Sequence, residues 1–176
     1  MTKAMTCKLI FPASKGRRDV VLYQLTSVEF VKSYLELVDH GTIVLPRNIN
    51  KIDKQKIKRF FRRHDPVEIH LGYNDDLQHE FSGYITRVST DIPVKIEFAD
   101  EMELIKRMPV NFQKNDIKLE KLLEEIIPGY TIDALEGIEL GNVRFAKTQV
   151  GPVLKKLEKD FNLSSFIRNG VVVCGN

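Results

Sequence analysis

Cysteine is scarce in this chain of 176 residues, and its two cysteines, Cys7 and Cys174, lie near opposite ends. They form neither a CxxC pair nor the ligand spacing of a structural zinc site. We therefore expect two reduced, partly buried thiols, as is usual for proteins kept in a reducing compartment.

Long hydrophobic runs are also missing. No stretch approaches the roughly 20 consecutive apolar residues that a transmembrane helix needs. Residues 1–7 lack the apolar segment of a secretory signal peptide. The sequence therefore predicts a protein that starts in the cytoplasm and has no membrane partner.

Catalytic fingerprints are absent from the sequence as well. There is no G-x-S-x-G, no P-loop and no glycine pattern for binding a dinucleotide. The pair Ser164-Ser165 has no histidine nearby in sequence, and Glu124-Glu125 fall on the surface of a predicted helix. We expect no enzyme, no catalytic residue and no cofactor. An enzyme whose site is assembled only by folding stays open as an alternative.

Three histidines, His64, His70 and His79, lie near acidic residues and raise the question of a metal site. His64 and His70 do not have the i,i+4 spacing of ligands on a helix, and His70 and His79 fall on different predicted strands. Asp75-Asp76 lacks the later ligands of a calcium loop. Polar faces and turns of a hairpin explain these residues better, so no metal site is predicted.

The charge of the chain is unevenly distributed. Its formal net charge is +3, but residues 1–63 carry 14 Lys/Arg against 5 Asp/Glu, and residues 64–176 carry 13 against 19. A basic half and an acidic half favour pairing with further copies or with a charged partner.

The first part of the chain has the pattern of closely spaced strands. Apolar, β-branched and aromatic residues alternate with polar ones between turn residues, which is typical of a small barrel or sandwich. Residues 51–63 differ, and predict a short amphipathic helix or an ordered loop. The predicted strands span residues 8–11, 20–25, 28–31, 42–45, 66–73, 81–88 and 94–98.

The pattern changes near residue 109. Helical spacing of apolar residues predicts one helix over 116–127 and a second over 150–160, with Thr148 as its N-cap. Asn169-Gly170 between two apolar runs predicts a hairpin. The predicted fold is α+β: a small antiparallel β-barrel domain over 1–108, then a compact α/β domain over 109–176.

Several strand motifs resemble a known family. One strand ends in Gly72-Tyr73, the next reads F-x-G-x-I over residues 81–85, and residues 93–100 end in an acidic residue before a helix. Residues 37–47 resemble the preceding hairpin. These patterns resemble the tail hub proteins of contractile phages, the late control protein D group, which are relatives of the hub part of type VI secretion spikes.

The resemblance implies a structural role. It implies a baseplate hub that self-assembles into a trimeric ring and adapts the tail tube to the spike, with the tube and spike proteins as partners. The protein would be made in the bacterial cytoplasm and end in the virion tail. Members of this family continue with further barrel strands, so we expect this chain to be a fragment or a shortened relative.

A cation-rich segment, residues 54–63, contains Phe60 and Phe61. We expect the two rings to anchor the segment to the core, and we expect the basic turn over residues 15–18 to be solvated. The alternative function is a basic nucleic-acid-binding module that uses residues 54–63 for phosphate contacts and stacking. The residues predicted for subunit contacts are Arg59, Phe61, Arg62, Arg63, Tyr73 and Tyr84.

Overall fold

A computed structural model of the chain describes residues 4–14, 16–47, 60–74, 76–89 and 91–176. Two units can be distinguished: Met1–Val31 with His40–Asp100, and Lys32–Asp39 with Glu101–Asn176. Strands dominate the described part of the first unit, and the second combines strands with helices, so the predicted α+β class is confirmed. The domain ranges predicted from the sequence, 1–108 and 109–176, stay a prediction.

The first unit is built on one antiparallel sheet. The hydrogen-bonded order is β2-β1-β5-β6-β7-β4-β3. The alternation of apolar and polar residues makes these segments strands with one buried face. The strands are β1 (Met5–Phe11), β2 (Val20–Leu22), β3 (Ser27–Val31), β4 (His40–Val44), β5 (Pro66–Tyr73), β6 (Asp76–Val88) and β7 (Lys95–Ala99).

The core of this unit lies on one face of the sheet. Alternate residues of its strands, such as Ile69 of β5 and Ile96 of β7, are fully buried. The Phe30 ring of β3 lies 5.6 Å from the Phe81 ring of β6, although β4 and β7 separate these strands in the sheet order. Only a strongly curled sheet brings such rings together.

The predicted closure into a barrel is not confirmed. Among the described residues, the hydrogen-bonded order runs from β2 to β3 without returning to its start. β2 has three residues and β3 has five, so each edge offers only a short length for pairing. Register shifts between Ile69 and His70 and between Ile85 and Arg87 add to the curl of the central strands.

In the turn that was expected to be solvated, Lys15 lies outside the described residues, and Arg17 points inward. The Arg17 side chain is 5% exposed and that of Asp65 is 1% exposed, with Arg17 Nε 3.6 Å from Asp65 Oδ2. The guanidinium also donates to the carbonyl oxygens of Phe11 (3.1 Å) and Pro12 (2.8 Å). The expectation of a solvated turn was therefore wrong for Arg17, because a buried carboxylate lies within its reach.

Removing this arginine should destabilise the first unit. Arg17→Met leaves the Asp65 carboxylate buried without its cation, which costs about 3–5 kcal/mol in comparable pairs. The free energy of unfolding in urea measures the loss. Arg18→Met, at the exposed neighbouring position, is the matched control and should change it by less than about 0.5 kcal/mol. Equal losses in the two variants would contradict the assignment.

The second unit combines three α-helices with short strands in the part of the chain that the structure describes. β8 and β10 form an antiparallel pair, and β11-β12-β9 form a second sheet in which β12 and β9 are parallel. The elements are α1 (Met102–Ile105), β8 (Pro109–Lys114), α2 (Leu119–Ile126), β9 (Thr131–Ala134), β10 (Val143–Gln149), α3 (Val150–Phe161), β11 (Ser164–Arg168) and β12 (Val171–Gly175).

The two predicted helices are confirmed as α2 and α3. Their apolar residues recur at helical spacing and are buried, Leu119, Leu122 and Leu123 among them. Thr148, however, lies in β10 and does not cap α3. The first amides of α3 donate instead to backbone: Val150 N to the Met108 oxygen (3.0 Å) and the next residue to the Lys106 oxygen (2.9 Å). Backbone carbonyls thus take the place of a capping side chain.

The predicted hairpin is also confirmed. Asn169 and Gly170 have φ values of 51° and 77° between β11 and β12, as a two-residue type I′ turn requires. The segment Lys32–Asp39 is fastened to this hairpin. Asp39, which is buried, accepts from the Ser33 amide (2.8 Å) and forms an ion pair with Arg168 at the end of β11.

Glu103 of α1 provides a pH-dependent contribution to this unit. Burial raises the pKa of Glu103, but hydrogen bonds and the charges of Lys106 and Arg107 outweigh it, and the pKa lies below its ordinary value near 4.5. Arg107 Nε donates to Glu103 Oε1 at 3.0 Å. A carboxyl group with a depressed folded-state pKa stabilises the fold above its unfolded-state pKa, and that contribution is lost as pH falls through the folded-state pKa.

We therefore expect unfolding free energy to decrease as the pH falls below about 4.5. Glu103→Gln should be less stable at neutral pH and should show a shallower acid dependence than the wild type. Urea titrations between neutral and acidic pH measure both slopes. Glu120→Gln, at an exposed position of α2, serves as the control. An unchanged slope in Glu103→Gln would contradict this role.

Candidate assembly surfaces

The predicted contact residues of the cation-rich segment separate into buried and exposed positions. Phe61 is 2% exposed, and its ring meets Phe11 edge to face with centroids 4.8 Å apart. Phe60 is partly buried against the same core, so the expectation that both rings anchor the segment is confirmed for its described end, residues 60–63. Arg62 and Arg63 are exposed. Arg59 and the rest of residues 54–59 lie outside the described residues, so the nucleic-acid alternative stays a prediction.

The turn that carries the two exposed arginines is held firmly to β6. The His64 amide donates to the Ile85 oxygen (2.7 Å), and the Ile85 amide donates to the Asp65 oxygen (2.9 Å). Asp65 Oδ2 accepts from the Arg62 amide at 3.2 Å. His64 has a φ of 68°, a left-handed conformation that these bonds keep in place. The arginines therefore extend from a fixed backbone.

The two predicted tyrosines occupy different places in the sheet. Tyr73 ends β5 and is 52% exposed, opposite Met5 of β1. The adjoining residue, Asn74, is hydrogen-bonded to Ala4 in both directions, which ties β1 to the tip of the β5–β6 hairpin. Tyr84 lies in β6, between β5 and β7, and so is not on an edge strand. Their predicted roles in subunit contacts stay predictions.

The structure brings two of the histidines together. His70 and His79 are direct partners on β5 and β6, with ring centroids 5.2 Å apart and an interplanar angle of 75°. His79 Nε2 is 2.6 Å from Ser82 Oγ, and His70 Nε2 is 3.6 Å from Glu68 Oε2. Their placement on different predicted strands had counted against a shared metal site, but as partners in one hairpin the two rings lie side by side. The described residues contain no group of three side chains able to hold a metal ion.

The ends of the seven-stranded sheet offer a further surface. Val31 of β3 is 48% exposed, and Tyr23, which follows β2, is 67% exposed. Edge strands present backbone donors and acceptors that can pair with another chain. The sequence identified these segments as strands, but their edge positions depend on sheet order, which the pattern of apolar residues does not determine. Among the described residues, no helix is long and apolar enough to cross a membrane.

Comparisons with known proteins identify this fold. No protein-family model and no curated protein match the chain. Solved structures do. The chain has the fold of phage tail proteins. It is similar to the 43 kDa tail protein of prophage MuSo2 from Shewanella oneidensis, with a TM-score of 0.66 and 11% identity over 99% of this chain and 55% of that one.

Two further tail proteins share the fold. The tail protein from Neisseria meningitidis matches with a TM-score of 0.63 and 13% identity, over 97% of this chain and 50% of that one. A prophage tail protein from Listeria monocytogenes matches with a TM-score of 0.55 and 10% identity, over 96% and 50%. The chain thus spans about half the length of these proteins. The predicted resemblance to phage tail proteins is supported at the level of the fold.

Replacing Phe61 by alanine tests whether its buried ring anchors the chain to the core, rather than serving as an exposed contact residue. Phe61→Ala should lower the free energy of unfolding by about 3–5 kcal/mol, because it removes a buried aromatic side chain and leaves a cavity beside Phe11. Arg63→Ala, at an exposed position close by, should change it by less than about 0.5 kcal/mol. Urea unfolding of the intact chain provides both values. A small loss in Phe61→Ala would show that the ring does not anchor the segment.

Proposed function

We propose that this chain is a structural component of a phage or phage-derived contractile tail. In this proposal it acts as a baseplate hub that adapts the tail tube to the spike, and it assembles into a ring of three copies. The observation that carries the proposal is the fold, which matches tail proteins over at least 96% of the chain. The hub assignment rests in addition on the strand motifs around Gly72-Tyr73 and Gly83.

The sheet edges support assembly from one kind of subunit. β2 and β3 lie at opposite ends of the sheet order in the described part of the chain, and they differ in length and sequence. A contact between the β3 edge of one copy and the β2 edge of the next is therefore heterologous. Heterologous contacts close into a ring when the rotation between copies allows it. Pairing of strands supplies main-chain hydrogen bonds to each such contact.

The proposed role is scaffolding. Its partners would be further copies of this chain and the proteins of the tube and the spike, and its place would be the virion tail. Arg62 and Arg63, exposed on a turn fixed to β6, are available for contacts with an acidic neighbour. Such contacts at the rim of an interface steer association and fix the register between subunits.

A charge placed on one edge strand tests the proposal. Val31→Lys should prevent edge pairing, because a lysine on an edge strand would have to be desolvated against the neighbouring strand. Ile92→Lys is a matched control, since Ile92 is 50% exposed and Val31 is 48% exposed, but Ile92 lies outside the strands. Sedimentation equilibrium should give a trimer for the wild type and for Ile92→Lys, and a clear shift toward monomer for Val31→Lys.

Two results would oppose the proposal. A wild-type chain that stays monomeric at high concentration and binds no tube or spike protein would overturn the assembly role. Equal effects of the two lysine substitutions would instead exclude the β3 edge as the contact. Circular dichroism of each variant would establish that the fold is retained.

A further inference from the structure

The second unit has an acidic face centred on α2. Residues 116–139 contain seven acidic and two basic residues, all of them exposed. On α2 itself, Glu120, Glu124 and Glu125 occupy the side opposite the buried leucines. A hydrogen bond and the charge of Glu124, with further contributions from Glu120 and Glu125, raise the pKa of Lys121. The single lysine of this helix therefore lies in a negative field.

A basic face is centred on α3 in the same unit. Residues 144–160 contain five basic and two acidic residues, again all exposed. Lys155, Lys156 and Lys159 lie on the solvent side of α3, away from its buried residues. Lys156 Nζ pairs with Asp160 Oδ2 at 2.6 Å, whereas Lys155 and Lys159 enter no ion pair within the described part of the chain. Two cations on this face thus have no acidic partner there.

An apolar groove runs beside the basic face. Its volume is about 400 Å³, and it is lined by Leu122 of α2, Phe145 of β10, and Leu157 and Phe161 of α3, among others. Phe161 is 41% exposed. A surface with an apolar floor and charged borders can bury hydrophobic area while its charges set the orientation of what it binds.

We propose that the acidic face of α2 in one copy binds the basic face of α3 in a second copy of this chain. The occupant follows from charge complementarity: each copy carries both signs, on separate helices of one unit. The inference rests on the proposed function in one respect, since it supplies a contact for the self-assembly described above. It differs in using the second unit, where the strand-edge contact uses the first.

Charge reversal on each face, followed by mixing, tests the contact. The first variant, Lys155→Glu/Lys156→Glu/Lys159→Glu, makes both faces acidic. The second, Glu120→Lys/Glu124→Lys/Glu125→Lys, makes both faces basic. Each alone should self-associate at least about tenfold more weakly than the wild type, because like charges then face each other. An equimolar mixture should associate more tightly than either variant alone, since opposite faces meet wherever unlike copies are neighbours, although one contact in a ring of three still joins like faces.

Sedimentation velocity at about 0.05 M and 0.5 M salt measures these affinities, and the differences should shrink at the higher salt because the charges are screened. Arg87→Glu/Lys95→Glu, which reverses two exposed charges of the first unit, controls for added negative charge away from the two faces and should associate like the wild type. Circular dichroism verifies folding of every variant. The inference would be overturned by a mixture that associates no more tightly than either variant alone. It would also be overturned by a control that associates as weakly as the α3 variant.

The outcomes separate this inference from the proposed function. A wild-type chain that is monomeric at both salt concentrations overturns the two together. A wild-type chain that assembles, with both reversed variants assembling equally well, overturns the α2–α3 contact alone and leaves the strand-edge contact in place.

Discussion

The first unit depends on burying one face of a seven-stranded antiparallel sheet. An open sheet can exclude water from that face only if another layer covers it or if the sheet curls over itself. Contacts such as Phe30 with Phe81, across two intervening strands, show the second arrangement. The end of β1 pairs with the start of β5, with Ile10 opposite Glu68. This pairing brings Arg17, after β1, beside Asp65, before β5.

The second unit buries its apolar surface by packing helices against strands. α2 and α3 each bury an apolar stripe against short strands, so their outward faces are free to carry charge. The N-terminus of α3 is closed by backbone carbonyls of residues 106 and 108. That arrangement satisfies the first amides without a polar side chain, and it joins the helix to the segment that leads into β8.

Local periodicity predicted much of this architecture. The α+β class, α2, α3 and the Asn169-Gly170 hairpin all follow from spacing and turn chemistry over a few residues. The features that local periodicity did not predict depend on contacts between residues far apart in the sequence. From the local sequence, Arg17 is expected to be an exposed cation in a turn, because its partner Asp65 lies far along the chain. The contact of His70 with His79 required the hairpin register, and the replacement of Thr148 as cap required the tertiary position of Met108.

The predicted contact residues occupy different environments. Aromatic and basic residue types suggested them, and the structure buries Phe61 and exposes Arg63, while their roles in subunit contacts stay predictions. The order of strands decided which segments lie at an edge, and placed Tyr84 in the middle of the sheet. Sequence spacing cannot supply that order, because it arises from pairings such as β4 with β7 between remote segments.

The unequal edges of the sheet have a geometric consequence. A subunit bounded by the short β2 on one side and the longer β3 on the other is a polar building block, in the sense that its two sides cannot be exchanged. In any row of copies joined β3 to β2, all subunits would then have the same orientation along the row. A copy inserted backwards would bring β2 against β2 or β3 against β3, so its contacts would differ from the β3–β2 contact of every other pair.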